Sequence, residues 1–190
     1  MKPLILASAS PYRKELLQRI RIEFQCAPAD VDEAREPGEA AACLAARLAE
    51  KKAACIADRE PGALVIGSDQ VAELGHTVLG KPGDHLHATR QLREASGNVL
   101  RFHTAVCLIA AGYKLAHTDL TTVTFRPLKD AEIERYLQLE KPYDCAGSFK
   151  AEGPGIALFE RIESSDPTAL LGLPMIWLSQ ALLRRGYPIF

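Results

Sequence analysis

Pro3-Leu4-Ile5-Leu6-Ala7-Ser8-Ala9-Ser10-Pro11-Tyr12-Arg13-Lys14 is an apolar run that stops at a hydroxyl and turns into a helix start. Pro3 to Ala7 suits a short buried strand. Ser10 is a good N-cap and Pro11 fits the first helical position, with Leu16, Leu17 and Ile20 as the apolar face beyond. The pattern then repeats. Ile22 to Ala27 predicts a second strand, Asp30 to Pro37 a polar loop, and the Ala- and Leu-rich run Glu39 to Ala57 a long helix. Leu64 to Ile66 predicts a buried strand ending at Gly67-Ser68-Asp69, followed by a hairpin near Gly75-His76 and the turn Gly80-Lys81-Pro82-Gly83. A helix is predicted over His85 to Ala95. Val99 to Ala110 and Leu115 to Phe125 are β-branched-rich, with Ala111-Gly112 between them as a hairpin signal. Helices over Lys129 to Leu139 and Pro174 to Arg184 and a strand over Ile156 to Ile162 complete the pattern. Strands alternating with helices, plus one long hairpin, predict an α/β fold: a mixed twisted sheet flanked by helices.

The chain's 190 residues fit a single domain spanning 1–190. A chain of that length buries roughly 70% of its unfolded surface and needs no disulfide or structural metal. Lys plus Arg number 23 against 24 Asp plus Glu. So even a balance gives no general attraction to nucleic acid or acidic membrane, and any phosphate site must be a local cluster. The five cysteines are an odd set without a CxxC pair, which suits a reducing compartment, the cytoplasm. No signal peptide is apparent, and no run approaches the ~18 apolar residues of a membrane span.

Two segments carry groups suited to phosphate chemistry. In Ser8-Ala9-Ser10-Pro11-Tyr12-Arg13-Lys14 a strand-to-helix junction points backbone N–H groups and the helix dipole outward, beside two hydroxyls and two cations. The glycines and the GK[ST] of a Walker loop are missing, and the same residues also suit a capped surface helix with solvated basic side chains. In Gly67-Ser68-Asp69-Gln70 a carboxylate at the end of a buried strand stands where open α/β sheets bind ligands. There it can hold a divalent ion or take a proton from water, although a strand-ending Asp is also a common turn former. Lys81, Glu33 and Lys52 read by themselves as surface charge.

A third segment changes that reading: Tyr143-Asp144-Cys145-Ala146-Gly147-Ser148-Phe149-Lys150-Ala151-Glu152-Gly153. In this order and at these separations the three segments resemble the signature segments of the Maf nucleotide pyrophosphatases, nearly end to end. The resemblance implies a Maf/ITPase-like fold with a cleft between two lobes. It implies hydrolysis between the α- and β-phosphates of a nucleoside triphosphate, with a divalent metal such as magnesium or manganese. The positions matching the family's cleft are Ser8, Ser10 and Arg13 for phosphate, and Glu33, Lys52, Asp69 and Lys81 for catalysis. Asp69 and Glu33 are the metal-ligand candidates. Cations at Arg13, Lys52 and Lys81 would neutralise phosphate charge, and Asp69 would serve the attacking water.

Tyr12, Gln70 and Glu152 resemble the YceF-type branch, which acts on 7-methyl-GTP; the dTTP/UTP branch typically carries Arg, Thr and Gln there. A methylated guanine bears a positive charge, which an aromatic face attracts by ~0.5–2 kcal/mol. A carboxylate both accepts from the guanine N–H edge and compensates that charge. Tyr12 stands where other YceF-type chains often have Trp, a stronger stacking surface. Gly147, Gly153 and Gly155 permit close approach or positive-φ turns, and Phe149 reads as a packing residue. Alternatives stay open: the same chemistry on dTTP, UTP or another modified nucleotide, or a non-catalytic nucleotide-binding protein linked to septum formation. A homodimer is compatible with the resemblance, and the Val99–Phe125 hairpin is a candidate edge for it. His85-Leu86-His87 is not read as a metal pair, because i and i+2 do not share a helix face.

Overall fold

A computed structural model describes residues 2–189. The elements run β1 (Leu4–Leu6), α1 (Pro11–Gln18), β2 (Gln25–Cys26), α2 (Ala41–Ala57), β3 (Leu64–Leu74), β4 (Thr77–Leu79), α3 (His85–Ala95), β5 (Val99–Ala110), β6 (Tyr113–Phe125), α4 (Asp130–Glu140), β7 (Phe159–Glu163) and α5 (Met175–Arg184). Two 3₁₀ turns, Pro154–Leu158 and Ala169–Leu171, sit among the last of these. The sheet order is β2-β1-β3-β5-β6-β7, with β4 paired to β3. It is mixed, as expected: β1 is parallel to β2 and β3, while β3–β4 and β6–β7 are antiparallel.

The chain divides into two compact units. The first holds the residues up to Gln70, His103–Asp119 and those from Asp166 onward; the second holds Val71–Phe102 and Leu120–Ser165. In the first unit, strand alternation sets both faces of the sheet. Leu64 and Ile66 join Leu4, Leu6, Val106 and Leu108 in a core with Leu16 and Leu17 of α1 and Leu178 and Leu182 of α5. Gly67, one residue out of phase with Ile66, meets α2 on the opposite face. A Cβ placed on it would lie 2.2 Å from the carbonyl oxygen of Ala49 and 2.8 Å from Ala53 Cβ. The alanine-rich stripe of α2 (Ala45, Ala49, Ala53, all buried) therefore rests on a strand that has no side chain at the contact. In the second unit, Phe149 makes edge-to-face contacts with Phe102, Phe125 and Phe159. That places Phe149 in the core, as read from sequence.

Several boundaries differ from expectation. The strand expected over Ile22–Ala27 reduces to Gln25–Cys26, both exposed, because only Ile5 and Leu6 of the short β1 are available to pair with it. The strand expected to end at Gly67-Ser68-Asp69 continues to Leu74, so Asp69 lies mid-strand rather than at a turn. Pro154-Gly155-Ile156 bends into a 3₁₀ turn, and the last strand begins only at Phe159. Gly155 cannot carry a side chain there, since its Cβ would fall 2.3 Å from the Lys150 carbonyl oxygen. β5 lies between β3 and β6, and β7 covers Thr122–Phe125 of β6, so β5 offers no free edge. None of the five cysteines forms a disulfide; burial pushes the Cys107 thiol up to about 11. No helix of the described residues is long and apolar enough to cross a membrane.

Candidate active site

Extending β3 past Asp69 turns a loop feature into an alternating one. Odd positions face α2 and even positions face away from it. Asp69, two residues beyond Gly67, therefore meets Lys52 of α2: Lys52 Nζ donates to Asp69 Oδ1 at 2.6 Å. The same nitrogen lies 2.6 Å from Glu33 Oε1, on the loop before α2. Lys52 and Asp69 are both buried, each at 8% of full exposure, whereas the Glu33 side chain is open to solvent at 59%. One ammonium thus bridges a buried and an exposed carboxylate. Glu33 and Lys52, which read singly as surface charge, form one cluster with Asp69.

The even positions build the other side. Ser68 Oγ lies 2.8 Å from the Ala105 carbonyl and 3.1 Å from that of Gly172, with one proton for the two. The Gly172 carbonyl also accepts from Arg13 Nε at 2.9 Å. Gly172 adopts φ +110°, a conformation that favours glycine. Gln70 Nε2 donates to Thr104 Oγ1 (2.9 Å) and to the carbonyls of Ala169 (2.9 Å) and Leu170 (3.0 Å). Thr104 Oγ1 in turn donates to Ala169 at 2.9 Å. Behind this turn, buried Asp166 accepts from the backbone N–H groups of Thr168 (2.9 Å) and Ile176 (2.6 Å), which fixes the approach to α5.

At the start of α1, Ser10 caps the helix as its sequence suggests, its Oγ accepting from Arg13 N at 3.4 Å. Ser8 is buried, and its Oγ accepts from Ser10 N at 3.1 Å. Arg13 and Tyr12 are half-buried on the first turn. Burial lowers the Arg13 pKa from its usual value, against the upward pull of the Asp69 and Glu33 charges. That pull places the guanidinium within electrostatic reach of the Lys52 cluster.

The structure thus brings Ser8, Ser10, Arg13, Glu33, Lys52, Asp69 and Gln70 together in the first unit. Lys81 and Glu152 belong to the second, and both are exposed. There the loop carrying Lys81 is tied to the third signature segment. Gly83 N donates to the Tyr143 carbonyl at 3.0 Å. Buried Ser148, at φ 62°, donates its hydroxyl to Gln91 Oε1 at 2.6 Å, and Gln91 Nε2 donates to the Gly80 carbonyl at 3.0 Å. His85 bonds Tyr143 Oη (3.0 Å) and Glu134 (2.9 Å), while His87 turns to Asp84 (2.7 Å). Ser68, Thr104, Gly172 and Gln91 were not singled out from sequence. Each makes at least one contact 34 or more residues away in the chain (Ser148 lies 57 residues from Gln91), and no local pattern announces such contacts.

The Glu33–Asp69 pair fits a hard divalent cation. Two carboxylate oxygens already converge on one positive charge, and magnesium or manganese takes one or two carboxylates, completing its shell with water and substrate phosphate. Among the described residues no group of three or more His, Cys, Asp or Glu side chains forms a fuller ligand set.

The fold resembles that of the Ham1 protein of Staphylococcus aureus (TM-score 0.57, 14% identity, 97% of this chain and 100% of that one). A Ham1 protein from Coxiella burnetii is similar at TM-score 0.54 and 15% identity, over 97% and 100% of the two chains. The class is therefore a Ham1-like mixed α/β fold. The profile of the family described as Maf-like protein matches residues 3–185, and the chain belongs to that family. A relative from Xanthomonas oryzae pv. oryzae, named 7-methyl-GTP pyrophosphatase, is 54% identical over 98% of both chains. One of the same name from Alkalilimnicola ehrlichii is 52% identical, over 98% of this chain and 95% of that one.

Proposed function

We propose that this protein is a nucleotide pyrophosphatase that hydrolyses 7-methyl-GTP to 7-methyl-GMP and pyrophosphate, clearing a modified nucleotide from the pool. The observation that carries the reading is the buried Lys52–Asp69 pair, joined by Glu33 and lying within the field of Arg13. The near-full-length identity to relatives of that name supports the substrate.

Arg13, with Ser8 and Ser10 at the N-terminus of α1, binds phosphate oxygens. Lys52 shifts from its carboxylates toward the bridging oxygens as negative charge gathers there. Asp69 orients the attacking water and receives its proton. A magnesium or manganese ion held by Glu33 and Asp69 would neutralise phosphate charge. Tyr12 stacks on the base. Gln70, its amide spent on Thr104 and the Ala169–Leu170 carbonyls, acts on specificity from beneath by fixing that turn. Lys81 and Glu152 take their roles from the family resemblance, Lys81 on phosphate and Glu152 on the N–H edge of the base.

The single family match over residues 3–185 supports one functional domain. Five cysteines without a disulfide suit a cytoplasmic setting. Nucleic acid and membrane are not expected partners; a homodimer is the assembly the resemblance favours. The test is Asp69→Asn: it keeps the side chain's shape and lowers pyrophosphate release from 7-methyl-GTP by about 10²–10⁴-fold. Undiminished turnover by a folded variant would refute the role given to Asp69.

A further inference from the structure

The loop carrying Glu33 contains no helix or strand between β2 and α2. Glu33 itself is mostly solvent-exposed, so packing does not hold it in place. An arginine of α2 reaches across this loop. Arg47, on α2 five residues before Lys52, grips the Glu39 carboxylate with both arms: Nε lies 2.6 Å from Oε1 and Nη2 lies 2.7 Å from Oε2. Nη2 also donates to the carbonyl of Ala34, the residue after Glu33, at 3.0 Å.

Glu39 knits the rest of the loop to that grip. Its Oε2 accepts from Glu36 N at 3.1 Å, its backbone N–H donates to the Glu36 carbonyl at 3.1 Å, and its own carbonyl accepts from Arg35 Nε at 2.8 Å. Asp32 Oδ1 adds a turn by accepting from Ala34 N at 2.9 Å. The Arg47 side chain is 19% exposed and that of Glu39 only 9%, so this bidentate pair is largely shielded from water. Planar two-point recognition of a carboxylate is a job for arginine that lysine's point charge cannot reproduce.

We propose that Arg47 is a positioning residue for the active-site cluster: through Glu39 and the Ala34 carbonyl it sets the distance of Glu33 from Lys52 and Asp69. The consequence for metal binding rests on the reading of Glu33 as a ligand. Partners that orient a metal ligand from behind typically contribute 10–100-fold in affinity. Arg47 spends its hydrogen bonds on Glu39 and the Ala34 carbonyl, so its loss is expected to reach the cluster through Glu33.

The experiment uses Mn²⁺ as probe on the purified full chain without nucleotide, counting free Mn²⁺ by its paramagnetic resonance signal. Four proteins are compared: wild type, Arg47→Met, Glu33→Gln and the double variant. Hydrogen exchange is read in parallel over residues 31–39. Arg47→Met is expected to weaken Mn²⁺ binding about tenfold. It should also speed exchange in the loop while exchange in α2 stays unchanged, and Arg47→Lys should not restore either. In the Glu33→Gln background Arg47→Met should change Mn²⁺ binding no further, as a double-mutant cycle requires if the two act as one. Equal weakening in both backgrounds, or unaltered loop exchange in Arg47→Met, overturns the proposal. If Glu33→Gln by itself leaves Mn²⁺ binding intact, the ligand reading of Glu33 fails; loop exchange then still decides whether Arg47 holds the loop.

Discussion

Lys52→Met removes the ammonium that bridges Glu33 and Asp69 and keeps most of the apolar stem. Two carboxylate oxygens that each lay 2.6 Å from Nζ are left about 5 Å apart or less, within the range where like charges act on each other. Breaking a buried ion pair by removing one partner costs 3–5 kcal/mol, because the other charge stays buried and uncompensated. Lys52 and Asp69 side chains retain 11% exposure, so some water reaches the orphaned carboxylate and the lower end of that range applies. The contact to solvent-exposed Glu33 adds less than about 1 kcal/mol. We therefore expect a loss of about 3 kcal/mol, or about 6–12 °C in midpoint for a chain of this size. The assay is urea unfolding without metal, where the midpoint falls and the slope holds; Lys51→Met, exposed on the same helix, serves as control. Mn²⁺ should stabilise the variant more than the wild type, since no ammonium competes for the carboxylates. A loss below about 1 kcal/mol, no larger than the control's, would mean that the ammonium is not buried between the two carboxylates.

Gly67→Ala drives a methyl group into the Ala49 carbonyl and Ala53 backbone, so we expect at least about 3 kcal/mol of destabilisation, the upper end for overpacking. Gly62→Ala, with nothing within 4 Å of its Cβ, should be near neutral; equal midpoints for the two would contradict the helix–strand contact. Glu39 titrates at about 2, well below the usual carboxylate value of 4.5, chiefly because it accepts hydrogen bonds from Arg47. A depressed folded-state pKa stabilises the protein above the unfolded value, and the benefit is lost as pH falls through the folded one. The stability gap between wild type and Glu39→Gln should thus be constant above pH 4.5 and close toward pH 2. A gap that persists unchanged at pH 2 would place the effect elsewhere.

Much of the architecture was legible because the signals are local. Ser10-Pro11 caps α1, His85–Ala95 is helical to the residue, and Ala111-Gly112 joins β5 to β6. β3 departs most from what its local sequence predicts. Gly67-Ser68-Asp69 has the composition of a turn, yet the strand continues because Gly67 is needed where α2 packs closest. Tertiary contact overrode local propensity there. That continuation also sets the logic of the site: because the residues alternate, Asp69 faces Lys52 while Ser68 and Gln70 hold the turn behind Arg13. Gln70 stands out in sequence only as a specificity position; in the fold its amide donates to Thr104 and to the carbonyls of Ala169 and Leu170. No single-sequence feature announces this, nor the arginine that spans the Glu33 loop, because both depend on which carbonyls the fold brings near.

The central claim is tested most directly by pyrophosphate release from purified protein with magnesium or manganese across 7-methyl-GTP, GTP, dTTP, UTP and CTP. Each turnover should yield one nucleoside monophosphate and one pyrophosphate. The kcat/KM for 7-methyl-GTP is expected to exceed that for GTP by about 10-fold, the share a desolvated cation–π contact and a compensating carboxylate can supply. Turnover that favours dTTP or UTP would contradict the base recognition assigned to Tyr12 and Glu152, and no turnover on any nucleotide would contradict the enzyme itself.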